Sequence, residues 1–294
     1  APGCIFRSES GCLVALLPGP PSECEPMIRD ELIPYLHRLT GGVIVSRMVR
    51  TFGIGEGSAA ERAADLLDWS NPTVAPYAKD SEMFFRVTAK AASREEAEKQ
   101  CEGAVQELCS RLGSRVYAVN EDGTSPSCLE HTVVALLAEQ GKTIAAAESC
   151  TGGLIAKRLT DVPGASAVLN MSFVTYSNEA KHRLLGVPEE LLERYGAVSE
   201  QVARAMAEGA RRTLGCDLAV AVTGVAGPDP DERGNPVGLV YLALAAPDGT
   251  TVKRTRSGGV RERIRTLAAS GALDLVRRWL SGAPLEETGT EPSE

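Results

Sequence analysis

From residue 127 to residue 281, short apolar runs alternate with helical patterns, and this alternation restricts the fold more than any other feature of the chain. The order begins with a helix over "CLEHTVVALLAEQ", a strand at 143–147, a helix from Gly152, a strand over "AVLNMSFVTY", a helix after Ser177 and another near Pro188. A long helix at 200–214 follows, then strands "LAVAVTG" and "GLVYLALAA", a "PDG" turn into "TVKRTRS", and a helix at 260–280. Strands and helices that interleave in this way build a three-layer α/β domain. Ser127 and Glu130 read as a capping box for its first helix, which Gly141 closes.

Residues 43–122 follow a different rhythm. The strand "VIVSRMVRTF", the helix "GSAAERAADLLDW", strands near "TVAPYA" and "EMFFRVTAKA", the helix "SREEAEKQCEGAVQELCSRL" and the strand "RVYAV" give β-α-β-β-α-β, a small α+β unit. Ahead of it, "CLVALL" reads as one buried strand, "PGPPSE" breaks it, and "MIRDELIPYLHRL" is a helix that Pro34 kinks or delays. Residues 1–42 have no room for a sheet of their own and read as the end of a larger domain. The acidic "SGAPLEETGTEPSE" after Leu280 reads as a disordered tail over 282–294.

Composition excludes several function classes. A net charge of -8 argues against a general polyanion binder, because phosphate affinity comes from clustered Lys and Arg. Residues 51–119 are themselves acidic on balance and lack a G-x-x-G clamp in the expected place, so a nucleic-acid partner is not expected. No apolar run reaches membrane-spanning length and the opening "APGCIFRSESG" lacks signal-peptide blocks, so a cytoplasmic protein without a membrane partner is expected. Eight cysteines contain no C-x-x-C pair, and His37, His131 and His182 are scattered, so neither a metal site nor a Ser-His-Asp triad is expected.

Chemistry is expected at the carboxyl ends of the α/β strands, where three loops would converge: "ESCTGG", "TYSNEAK" and "TGVAGP". In the first, Ser149 is a nucleophile or an N-cap, Cys150 a nucleophile or a small buried side chain, and Glu148 an acid or a solvated charge. The amides of Thr151, Gly152 and Gly153 would favour an anion there. In the second, Tyr176 and Lys181 can face one cleft, and Lys181 serves as a base only if it is neutral, otherwise as a solvated charge. The third, with Thr223, Gly224 and Gly227, orients a ligand or simply turns the chain.

Taken together, "AESCTGGLIAKRLTDVPGAS", "FVTYSNEAKHRLLGV", "YGAVSEQVARAMAEGA", "VTGVAGP" and "VGLVYLALA" closely resemble the C-terminal domain of the CinA (competence/damage-inducible protein) family, the nicotinamide-nucleotide amidases. Upstream, "NPTVAPYAKDSEMFFRVTAKA" resembles the family's KH-like domain, and "LLPGPPSE" the end of its molybdopterin-binding-like domain. The resemblance divides the chain into that remnant at 1–42, a KH-like domain at 43–122, an amidase domain at 127–281 and a tail. A chain that begins so late would be a fragment lacking most of the family's first domain and its ADP-ribose pyrophosphatase site.

What the resemblance implies is hydrolysis of the carboxamide of nicotinamide mononucleotide to nicotinic acid mononucleotide and ammonia, as in NAD salvage, with no cofactor or metal. Matched to the family's motifs, Ser149 is the nucleophile, Lys181 its general base and Tyr176 a polarising or positioning group. Thr151, Gly152, Gly153, Ser166, Thr223, Gly224 and Gly227 fall at substrate-binding positions, with the amides of 151–153 serving an oxyanion or the substrate phosphate. Arg261, Arg263 or Arg265 serves that phosphate or is surface charge. The family also implies a homo-oligomer, a dimer first. The chain departs from the family at "DPDERGNP", where relatives carry further glycines, so substrate affinity and loop closure are the properties most exposed to change. The alternatives are a non-catalytic module that binds a nucleotide or protein, and a residual pyrophosphatase-type function of a longer parent chain.

Overall fold

The computed structural model describes residues 1–79, 82–121 and 128–285. A hairpin of β1 (Cys4–Arg7) and β2 (Leu13–Leu16) opens the chain, followed by α1 (Pro21–Met27), a π-helical turn at Ile28–Leu32 and α2 (Ile33–Thr40). The expectation that this segment builds no sheet is therefore corrected. "CIFR" pairs with "LVAL" across a turn that ends at the positive-φ Gly11, and two four-residue strands satisfy each other. Pro34 sits in the first turn of α2, where its missing N–H costs least. The helical run is neither delayed nor broken there: it passes from α1 through the π-helical turn at Ile28–Leu32 directly into α2.

The second unit contains β3 (Val43–Thr51), α3 (Glu56–Arg62), α4 (Ala64–Leu67), β4 (Thr73–Lys79), β5 (Glu82–Ala91), α5 (Arg94–Leu112) and β6 (Val116–Glu121). Its sheet is antiparallel throughout, in the order β4-β5-β3-β6. Period-two alternation along β5 turns Met83, Phe85, Val87 and Ala89 toward α5, which answers with Ala97, Cys101, Ala104 and Leu108. Ser93 caps α5 by accepting from Glu96 N. The one helix expected over 57–69 is two, interrupted at Ala63.

The third unit contains α6 (Leu129–Glu139), β7 (Ile144–Glu148), α7 (Leu154–Thr160), β8 (Phe173–Val174), α8 (Asn178–Leu185), α9 (Glu189–Tyr195), α10 (Glu200–Leu214), β9 (Leu218–Gly224), β10 (Leu239–Ala246), β11 (Gly249–Arg256) and α11 (Arg261–Leu280). The sheet runs β11-β10-β9-β7-β8, with β7 parallel to both β8 and β9 and β10 antiparallel to β9 and β11. The alternation predicted from sequence thus produces three layers. Ile144, Ala146, Val220, Val222 and Leu242 face α6, α7 and α11, while Ala145, Ala147, Ala219, Ala221 and Ala243 face α10. The alanine face lets α10 lie close to the sheet.

Three local expectations change. Most of the strand expected over 167–176 is irregular: Phe173–Val174 pairs with β7, Leu169 makes an isolated bridge to Ile144, and between them the Ser172 hydroxyl accepts from Ala146 N where a ladder carbonyl would. Ser127 lies outside the described residues. Cys128 occupies the N-cap of α6 without a side-chain bond to the helix amides, its Sγ lying 3.3 Å from His131 Nδ1, and Glu130 accepts from Arg158 at 2.7 Å. The chain stays packed beyond 282: Ala283 N donates to Arg278 O, Arg278 donates to Pro284 O, and Leu285 lies against the core. The remainder of the expected tail, 286–294, lies outside the described residues.

The second and third units also meet directly. Tyr117 is buried in the α/β core, and Arg277 of α11 donates to Ser114 O at 2.8 Å. Asp274 is buried between Arg277 and Arg278, which approach its two oxygens at 2.6 and 2.7 Å.

Candidate active site

Because β8, β7 and β9 are parallel neighbours, their carboxyl ends place "TYSNEAK", "ESCTGG" and "TGVAGP" side by side along one edge of the sheet. Ser149 follows the last residue of β7 and is anchored by its own N–H, which donates to Val222 O on β9. Helix α7 begins only at Leu154, with Gly153 at its N-cap, rather than at Gly152.

Glu148, wholly buried, supplies the acceptors for that helix start. Its carboxylate receives Gly153 N, Ile155 N and Ala156 N at 3.0, 3.0 and 2.9 Å. Two consecutive glycines permit the turn, since Gly152 and Gly153 adopt φ of 60° and 94°. Glu148 is therefore neither a solvated charge nor a free acid, and Ser149 is not the helix cap. The anion-favouring end of α7 is already occupied by an internal carboxylate. Gly152 N is engaged as well, donating to Ser149 O at 3.1 Å, so Gly152 and Gly153 are corrected as free amide donors.

Lys181 lies one turn into α8, whose N-cap Ser177 accepts from Ala180 N. Its side chain is completely buried, and Nζ stands 3.2 Å from Ser149 Oγ, 2.9 Å from Thr175 O and 3.2 Å from Tyr176 O. Burial lowers its pKa from 10.5 to about 8. A neutral amine has two N–H bonds and one lone pair, and the two carbonyls match the first while Ser149 O–H matches the second.

Cys150 is packing: it is 6% exposed and burial pushes its thiol up to about 11, the opposite of an activated thiolate. Tyr176 meets Lys181 through its backbone carbonyl, while its phenol is exposed and its Oη accepts from Arg261 at 3.1 Å. Arg261 also donates to Gly227 O, joining the second loop to the third. Arg265 donates through Nε to Cys150 O at 3.1 Å and through a terminal nitrogen to Thr151 O at 2.6 Å. It is thus a strap on the first loop rather than surface charge.

The remaining sequence candidates divide by position. Thr151 is completely buried and its Oγ1 has no hydrogen-bond partner among the described residues; the same holds for Thr175 Oγ1. Thr223 is buried with its hydroxyl donated to Ala197 O at 2.7 Å, which joins the third loop to the segment between α9 and α10. Gly224 is required by the sheet, since a Cβ there would stand 2.7 Å from Leu239 O. Gly227 has φ of 84° and Ser166 is exposed on a 3-10 turn at Ala165–Ala167. The loop that departs from the family folds back on itself. Asp231 accepts from Arg233 N and Asn235 N, and Arg233 reaches Arg194 O at the end of α9.

Among the described residues no cluster of three His, Cys, Asp or Glu side chains could hold a metal ion, and no helix is long and apolar enough to cross a membrane.

Comparison with known proteins gives a consistent result. Residues 127–280 match the family model of the CinA C-terminal domain, and residues 46–118 that of the damage-inducible protein CinA KH domain. A CinA-like protein of Desulfovibrio desulfuricans is 54% identical over 289 residues, covering 97% of this chain and 67% of its own length. A putative competence-damage inducible protein of Acetivibrio thermocellus is 47% identical, over 95% of this chain and 67% of its own. Among solved structures, a competence-damaged protein (CinA) superfamily protein from Klebsiella pneumoniae covers 52% of this chain and 96% of its own, with TM-score 0.51 and 33% identity. The competence/damage inducible protein CihA from Agrobacterium tumefaciens is 42% identical, with TM-score 0.50, covering 52% of this chain and 93% of its own.

Proposed function

The chain belongs to the CinA family, and from that premise we propose that residues 127–280 hydrolyse the carboxamide of nicotinamide mononucleotide to nicotinic acid mononucleotide and ammonia. The observation that carries this reading is the buried Lys181 Nζ, 3.2 Å from Ser149 Oγ and held by two carbonyl oxygens. A lysine so placed is costly to keep charged, and no described carboxylate pairs with it. Its neutral form is a base aimed at a hydroxyl. The nucleotide substrate follows from the family resemblance.

In the first half-reaction Lys181 takes the Ser149 proton as Oγ attacks the amide carbon. A backbone N–H of the 149–153 loop receives the charge that develops on the carbonyl oxygen. The C–N bond then breaks, and the Lys181 ammonium gives its proton to the departing nitrogen, which leaves as ammonia. Water attacks the acyl-serine with Lys181 again as base, and as the C–O bond breaks Lys181 returns that proton to Ser149 Oγ and the carboxylate product departs. The end of α7, filled by Glu148, is unsuited to the substrate phosphate. Arg261, exposed and bridging Tyr176 to Gly227, is the better placed cation for it.

The deciding experiment measures ammonia and nicotinic acid mononucleotide together from nicotinamide mononucleotide. Wild type should release them in equal amounts, and Ser149→Ala should fall to background. Folded wild-type protein that binds the nucleotide by calorimetry yet releases no ammonia would sink the amidase reading.

A further inference from the structure

We propose that the Thr151 N–H is the donor that receives the developing oxyanion, and that Arg265 is the positioning residue that aims it; the assignment rests on Ser149 acting as a nucleophile. Peptide planarity supplies the argument. Within one peptide unit the C=O and the N–H point in opposite directions. Arg265 holds the carbonyls of two successive units, Cys150–Thr151 and Thr151–Gly152, with one guanidinium. The N–H groups of Thr151 and Gly152 must therefore both project away from Arg265.

The direction of that projection is fixed by the second of the two. Gly152 N reaches the backbone carbonyl oxygen of Ser149 at 3.1 Å, so the side opposite Arg265 is the side on which the Ser149 carbonyl lies. Of the amides at 151–153, Gly152 N serves Ser149 O and Gly153 N serves Glu148, whereas Thr151 N meets no acceptor among the described residues. Thr151 is completely buried, and its Oγ1 is also without a partner. Buried donors are rarely left unsatisfied, so a residue with both groups unmet is suited to an acceptor that arrives with the substrate.

Arg265 is geometrically confined to this role. A Cβ on Gly152 would stand 3.3 Å from its terminal nitrogen, so the guanidinium lies directly against the loop. A lysine would keep the charge but could not hold both carbonyls with one planar fork.

The test uses Arg265→Ala and Arg265→Lys in the full chain, with two readouts. The first is the second-order rate of Ser149 labelling by a fluorophosphonate, which needs the nucleophile and the oxyanion donor but not a nicotinamide substrate. The second is kcat and KM for ammonia release. Loss of one oxyanion donor costs on the order of a hundredfold, so Arg265→Ala should slow labelling and kcat by about tenfold to a hundredfold. Its KM and the pH midpoint of labelling should stay at their wild-type values, and Arg265→Lys should recover part of the rate. Labelling at the wild-type rate in folded Arg265→Ala overturns the proposal. So does a change in KM alone, which would make Arg265 a substrate ligand, or a wild type that does not label at Ser149. Should Arg265→Ala fail to fold, Arg265→Lys decides by the same criteria. Wild type that labels but releases no ammonia refutes the amidase reading and leaves this assignment standing.

Discussion

The protonation of Lys181 gives the sharpest test of the site, because one number fixes both a rate profile and a stability profile. Burial takes its pKa from 10.5 to about 8. At about 1.4 kcal/mol per unit, the folded protein disfavours the charged form by roughly 3 kcal/mol. Only the neutral form can act as base, and it makes up roughly a tenth of the protein at pH 7 and nine tenths at pH 9. The kcat/KM for ammonia release should therefore rise about tenfold between these values and level off above them. Lys181→Arg, which stays charged throughout, should show no such limb and little turnover. A profile flat from pH 7 to 9, or a midpoint near that of a solvated lysine, refutes the assignment of Lys181 as base.

The same shift predicts stability with a definite sign. Between about pH 8 and 10.5 the unfolded chain carries the Lys181 proton and the folded chain does not, so stability rises with pH across that window. Below it both states are protonated and the full cost of the buried charge is present. Lys181→Met has no titration here and leaves the Thr175 and Tyr176 carbonyls unpaired at every pH, a constant offset. Urea midpoints of wild type and Lys181→Met should diverge by an equivalent of about 3 kcal/mol on going from pH 8 to 10.5, in favour of wild type. A pH-independent difference would mean that Lys181 is not desolvated.

Two further predictions come from packing. Gly209 of α10 lies against the end of α8, where an added Cβ would stand 1.9 Å from Leu185 O; Gly209→Ala should displace the helix that carries Lys181, costing about 1–3 kcal/mol by overpacking and up to about a hundredfold in turnover. Ammonia assays and thermal melts would show it, and a fully active, equally stable variant would refute the link between that contact and the site. Asp274→Ala leaves two buried guanidiniums without their shared carboxylate and should lower stability by about 3–5 kcal/mol in urea titration, with Ser149 labelling at low denaturant retained.

The sequence exposed the site in proportion to how local its determinants are. Ser149, Lys181 and the three loops follow from strands ending and helices beginning, and those signals lie within a few residues of the groups they position. Glu148 was illegible as a cap. A carboxylate beside a candidate nucleophile suggests an acid, and only the fold-back over Gly152 and Gly153 brings three amides onto it. Arg265 was illegible for a different reason: its targets are the carbonyls of Cys150 and Thr151, far away in the chain, and carbonyls leave no mark in a side-chain pattern. The strand over 167–176 was read too long because an apolar run reports burial, not pairing. The hairpin strand Cys4–Arg7 was missed because four residues carry too little periodicity to register.

A buried lysine in a protein core is a liability unless its surroundings are rigid, since any relaxation that admitted water would return it toward its ordinary pKa. Each loop around Lys181 is tied to a neighbouring element. Glu148 locks the first at its own helix, Arg265 straps it from α11, Arg261 ties the phenol of Tyr176 to Gly227, and Thr223 binds the third loop to Ala197. Apart from the Arg261–Tyr176 contact these ties engage backbone atoms, and none of them uses the Ser149 hydroxyl or the Thr151 N–H. The departure at 229–236 is compatible with this plan, because Arg233 anchors that loop to the end of α9 and none of its bonds replaces a tie to the first or second loop. On the proposed amidase reading its acidic residues repel an anionic substrate, while the charge state of Lys181 is set by burial. Neutralising Asp229 and Glu232 should therefore move KM for an anionic nucleotide downward while the pH midpoint of the rate stays where Lys181 puts it.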